Sequence, residues 1–72
     1  MIVSGTREAT IREVQPVNIH GTIFYDLVYI HEGETKPRRA RVGAESVYPG
    51  IQPGDRVLVS YLMNVATGVE RR

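Results

Sequence analysis

Cysteine is absent from this 72-residue chain, and so are an apolar run of membrane length, a strong excess of either charge and any long window with apolar residues at helical spacing. Each absence excludes something. Without cysteine there is no disulfide, and His20 and His31 alone cannot complete a tetrahedral zinc site, so the core must hold by packing. The missing thiols fit a reducing compartment, and Met1 leads into Ile2, Val3 and Ser4 without a basic or apolar run of signal-peptide type. A cytoplasmic protein is expected. The longest apolar stretch, Val57 to Met63, contains Ser60 and Tyr61 and falls far short of the roughly 20 residues of a membrane helix. Nine basic against eight acidic residues give a net charge of +1, which excludes a dedicated non-specific DNA coater and leaves any nucleic-acid role to local placement of charge.

Catalytic machinery is equally scarce. Ser4, Ser46, Ser60, His20 and His31 are present, but none lies in a nucleophile elbow or triad context. The seven glycines stand singly in turns rather than grouped before a helix, so no phosphate-cradling loop is indicated. The acids fall in turns or beside arginines, which does not make the carboxylate pair of a glycosidase. His20 and His31 read as turn and surface residues. No enzyme, cofactor or metal site is expected.

What the chain does have is short runs of β-branched and aromatic residues punctuated by Gly and Pro, with no internal repeat or linker. It reads as one all-β domain over residues 1–72. Ala9 and Ile11 alternate with Glu8, Thr10 and Arg12 in a first strand over Thr6 to Val14, which Ile2 and Val3 would extend past a bend at Gly5. Gln15 to Gly21 reads as a loop. Thr22 to His31 is the strongest strand, and a turn at Glu32, Gly33 and Glu34 returns the chain into Thr35 to Val42. Ala44 to Tyr48 can make one helical turn, ended by Pro49 and Gly50. Arg56 to Met63, with Val57, Val59 and Tyr61 alternating, is a central strand, and Val65 to Glu70 is a fifth strand or the fourth continued past a bend at Asn64.

The register of the second hairpin can be argued from charge. Pairing odd positions of the second strand with even positions of the third sets Tyr25 and Leu27 against Val42 and Ala40, one apolar face, and leaves Asp26, Arg39 and Arg41 on the other. The opposite parity would bury Asp26 and an arginine at a cost of several kcal/mol. The first register is expected.

The order of a curved strand, a long hairpin, a short connecting turn and the run Pro53, Gly54, Asp55, Arg56, Val57 leading into a late strand resembles small OB-fold barrels, including the bacterial initiation-factor-one and S1-type domains. Gly54 to Val59 is also similar to the small barrel of hydrogenase-maturation chaperones, but the cysteine that follows their initiator methionine is missing here. The expected fold is a five-stranded OB-like barrel, with an SH3-like barrel as the alternative. The resemblance implies ligand binding on strands two and three and the flanking loops.

On that face the sequence offers Phe24 and Tyr29 for base stacking, Arg38, Arg39 and Arg41 for phosphates, and Lys36 and Arg56 to widen the basic track. Single-stranded nucleic acid is the favoured partner. Three alternatives stand beside it. Arg38, Arg39 and Arg41 can be a solvated edge paired with Asp26, Glu32 and Glu34. Tyr25, Tyr48 and Tyr61 read as ordinary barrel packing, with Tyr29 exempted because it lies near the hairpin tip. Phe24, Val28 and Ile30 form an apolar stripe suited to a homodimer or another protein partner.

Overall fold

The computed structural model describes residues 4–72, so the extension of the first strand by Ile2 and Val3 lies outside the described residues. The chain forms β1 (Ser4–Ile19), β2 (Thr22–His31), β3 (Arg38–Gly43), a short 3₁₀ turn (Ala44–Ser46), β4 (Arg56–Leu62) and β5 (Val65–Arg71). All pairings between these strands are antiparallel, in the order β3-β2-β1-β4-β5. Three hairpin-connected strands with the fourth returning beside the first make a Greek key, to which β5 adds an edge. That is the arrangement of the OB-like barrel, a partly open five-stranded Greek key.

β1 is the shared strand. Ser4 to Thr10 pairs with β4 and Ala9 to Ile19 with β2, so Ala9 and Thr10 are laddered on both sides. Between Ile11 and Glu13 the register shifts, so Arg12 bulges where the strand changes partner, while Ile11 exchanges backbone bonds with Asp55 and Gly54 at 2.9 and 2.8 Å. A bulge bends and twists its strand, as curling a sheet toward closure requires.

The loop expected over Gln15 to Gly21 is instead strand up to Ile19, turned by His20 and Gly21 alone. Both turn residues have positive φ, 50° and 85°, the signature of a type I′ turn, and Asn18 Oδ1 accepts the Gly21 N–H at 2.8 Å. Pro16 does not break this strand. Counting back from the turn, where Ile19 and Thr22 exchange both bonds, Pro16 and Tyr25 form a non-hydrogen-bonded pair that needs no N–H from proline.

The expected hairpin register holds, with Tyr25 opposite Val42 and Leu27 opposite Ala40. β3 begins at Arg38 rather than Thr35, because Pro37 delays the ladder. The core comprises Ala9, Ile11, Leu27, Tyr29, Val42, Val47, Val57, Val59, Tyr61 and Val69, joined by His31. Tyr48 Oη donates to Asp55 Oδ2 at 2.6 Å, and the Arg71 guanidinium lies 4.9 Å over the Tyr48 ring, tying the stretch after the 3₁₀ turn to the turn before β4. Burial and the bond to Asp55 push the Tyr48 hydroxyl up to about 12.

No ladder joins the two edge strands. β3 and β5 approach each other, and at one end a parallel bridge joins Val47, just past the 3₁₀ turn, to Val69 of β5. The seam between them is open at the other end. Among the described residues no helix is long and apolar enough to cross a membrane.

Candidate functional site

The outward face of β2 and β3 carries Phe24, Asp26, Val28 and Ile30 beside Arg39 and Arg41, as the register dictates. Its charges are arranged unequally. Asp26 receives a two-pronged bond from Arg41, Nε to Oδ1 at 2.7 Å and Nη2 to Oδ2 at 2.9 Å, and this bond holds its carboxyl below the usual range. Glu34 is shared between Arg38, 3.2 Å, and Arg7, 3.1 Å. Arg56 meets Glu32 at 3.6 Å. Arg39 and Lys36 have no ion-pair partner among the described residues. The solvated-edge expectation therefore describes Arg38 and Arg41 but not Arg39; Arg56 is paired as well, while Arg39 and Lys36 keep their charge uncompensated.

Position separates these cations further. Arg38, Arg39, Ala40 and Arg41 form one wall of a groove at the open end of the seam, enclosing about 280 Å³. Asn64, Val65 and Ala66 form the facing wall, and Tyr29 and Tyr61 lie beneath. Arg56 begins β4 opposite Thr10 and is not part of this groove. Lys36 sits in the exposed loop before β3 and is not part of it either.

Phe24 is half-buried on the outward face, next to Val17 of β1 and Gly43 of β3. Gly43 brings no side chain to cover the ring. Val28 and Ile30 are half-buried too, in a depression bordered by Arg12, Glu13, Thr35 and Pro37. The apolar stripe is thus sheltered along part of its length by the bulge of β1 and the loop before β3.

Two side chains are corrected by the structure. Tyr29, expected at the surface as a stacking residue, is 2% exposed and points into the core. His31, expected at the surface, is 1% exposed. They meet Tyr61 there: Tyr29 Oη and Tyr61 Oη are 2.7 Å apart, Tyr61 Oη and His31 Nε2 are 2.7 Å apart, and His31 Nδ1 lies 3.2 Å from the Glu8 carbonyl. A carbonyl only accepts, so Nδ1 carries the hydrogen. Nε2 then accepts from Tyr61, whose oxygen accepts from Tyr29. Burial holds His31 below the ordinary imidazole range and raises the Tyr29 hydroxyl above the ordinary phenol range.

Sequence reasoning missed the β4–β5 hairpin tip. Met63 and Asn64 form a two-residue turn with φ of 52° and 68°, and Leu62, Met63 and Val65 are 59%, 75% and 62% exposed. Asn64 was legible as a break, and the flanking loops of an OB-like barrel are binding positions. Among the described residues no three His, Cys, Asp or Glu side chains converge as a metal site. Comparison of the chain with protein-family models, curated proteins and solved structures gave no match.

Proposed function

We propose that this barrel binds single-stranded nucleic acid across β2, β3 and the β4–β5 hairpin tip. The observation that carries the reading is the groove itself, in which Arg38, Arg39 and Arg41 of β3 line one wall opposite the exposed turn of another hairpin. Single-strand binders combine a cationic track for phosphates with flat or apolar surface for bases. Arg39 is the principal phosphate contact, because no carboxylate offsets it. Arg38 and Arg41 contribute by exchanging their present carboxylate partners for phosphate, and Lys36 extends the track beyond the groove. Phe24 offers the ring for stacking, while Leu62, Met63 and Val65 give apolar contact to bases. Tyr29 has no stacking role. The cytoplasmic setting expected from the sequence is one where such a ligand is met.

The test is an NMR titration of the labelled protein with a short mixed-sequence single-stranded oligonucleotide at low and at high salt. Salt-sensitive shifts at Phe24, Arg38 to Arg41 and Leu62 to Ala66 are expected. No shifts at low salt, or shifts indifferent to salt, would overturn the reading.

The exposed tip favours a second reading, a protein contact or self-association through Leu62, Met63 and Val65. Sedimentation at rising concentration separates the two. In this reading Met63→Asp disperses an assembly that the unmodified protein forms without any oligonucleotide.

A further inference from the structure

We propose that the buried chain Tyr29, Tyr61, His31 couples proton uptake at His31 to anion binding in the seam groove, so that an anion is held more tightly as the pH falls. The inference rests on the reading that the groove takes anionic ligands.

The hydrogen-bond chain has a direction. In the neutral state every hydrogen is assigned: Tyr29 donates to Tyr61, Tyr61 to His31 Nε2, and His31 Nδ1 to the Glu8 carbonyl. An added proton can sit only on Nε2, the ring nitrogen with a lone pair. Nε2–H must then donate to Tyr61 Oη, so the Tyr61 hydroxyl must turn its hydrogen away from His31: either to Tyr29 Oη, which then turns its own hydrogen elsewhere, or to a new acceptor while Tyr61 Oη still accepts from Tyr29. One proton enters from solvent, and one or both hydroxyls rotate.

One hydroxyl of the pair is left needing an acceptor. Tyr29 and Tyr61 both lie beneath the groove, where the guanidinium groups of Arg38, Arg39 and Arg41 on one wall offer only donors. An anion drawn to those arginines supplies one. A buried hydroxyl without a partner is costly, so the protonated chain and the filled groove favour each other. Linkage makes the effect reciprocal: the anion promotes proton uptake at His31 as much as the proton promotes anion binding.

The charged surroundings of His31 set the starting point. Arg7 of β1 and Arg38 of β3 oppose a positive ring, while Glu34, bonded to both, favours it. Arg12, Glu32 and Glu34 border the depression on its other side, Glu8 of β1 contributes its carbonyl, and Tyr61 of β4 closes the chain. Burial is the largest influence and keeps the ring neutral near pH 7.

Sulfate is a suitable probe because it keeps its charge across the range from about pH 5 to about pH 8 in which imidazoles titrate. The His31 ring nitrogens are followed by NMR over that range, in sulfate and in chloride of equal ionic strength. The expected result is a His31 titration midpoint raised by about one unit in sulfate, equivalent to about tenfold tighter sulfate binding at the acid end. Tyr61→Phe removes the hydroxyl that links His31 to the groove, and should cut the sulfate response by more than half. An unmoved His31 midpoint, no sulfate binding at the groove arginines, or a full response in Tyr61→Phe would each overturn the proposal. Sulfate coupling without oligonucleotide binding overturns the nucleic-acid reading alone. Oligonucleotide binding with His31 unmoved by sulfate overturns the coupling alone.

Discussion

His31 makes the fold sensitive to acid before the carboxylates do. Its folded-state value lies below the ordinary imidazole value of about 6.5, chiefly through burial. Between those two values the unfolded chain holds the extra proton, so the contribution is fully present above about pH 6.5 and is lost as the pH falls through the folded value. Asp26, Glu34 and Asp55 are also lowered, by hydrogen bonds to Arg41, Arg38 and Tyr48 respectively, and their contribution disappears only below about pH 4. Urea denaturation at a series of pH values should therefore show two separate losses, and His31→Gln should flatten the upper one. The same chain ranks two truncations. Tyr61→Phe removes the oxygen that serves both Tyr29 and His31 and should cost about 1–3 kcal/mol, whereas Tyr29→Phe removes one donor and should cost about 1 kcal/mol. Equal costs in chemical denaturation would contradict the central place of Tyr61 in the chain.

Among the elements, the β4–β5 turn combines backbone strain with an exposed apolar side chain. Met63 adopts φ 52° in a turn that favours Asn or Gly, and its side chain is mostly in solvent. Met63→Asn should raise stability by about 0.5–1 kcal/mol, seen as a higher denaturation midpoint, and weaken oligonucleotide binding if the tip touches bases. The existence, order and type of these elements were readable from residue alternation. Ala9 and Ile11, then Val57, Val59 and Tyr61, alternate as they are buried. The hairpin register was readable too, because burying Asp26 or an arginine leaves one parity standing. Two things were not readable locally. Pro16 reads as a loop residue until the neighbouring turn shows that its pair requires no N–H. Tyr29 and His31 share the inward parity of Tyr25 and Leu27, but treating the strand end as solvent-exposed set that parity aside. What covers that end is Tyr61 of a strand thirty positions away, which no local window contains.

At the scale of the whole molecule, the candidate site is spread over two hairpins that only the fold brings together. The arginine cluster was visible in the sequence, but its division into paired and unpaired members was not, since it depends on where Glu34 and Asp26 lie in space. That division has a consequence for binding. Arg39→Ala should reduce the slope of log affinity against log salt by about 0.7, the value for one single-strand phosphate, while Arg56→Ala should leave it nearly unchanged. A titration at several salt concentrations measures both. The shared strand β1 has a consequence of a different kind, for a chain made from its amino end. β2 and β3 follow β1 closely and can zip onto its second half as a meander. The first half, Ser4 to Thr10, has its partner in Arg56 to Leu62 and waits with one ladder unmade until β4 has been synthesised. A nascent chain stopped before β4 thus presents an unsatisfied strand edge, and it is there that a premature intermediate would stick to its neighbours.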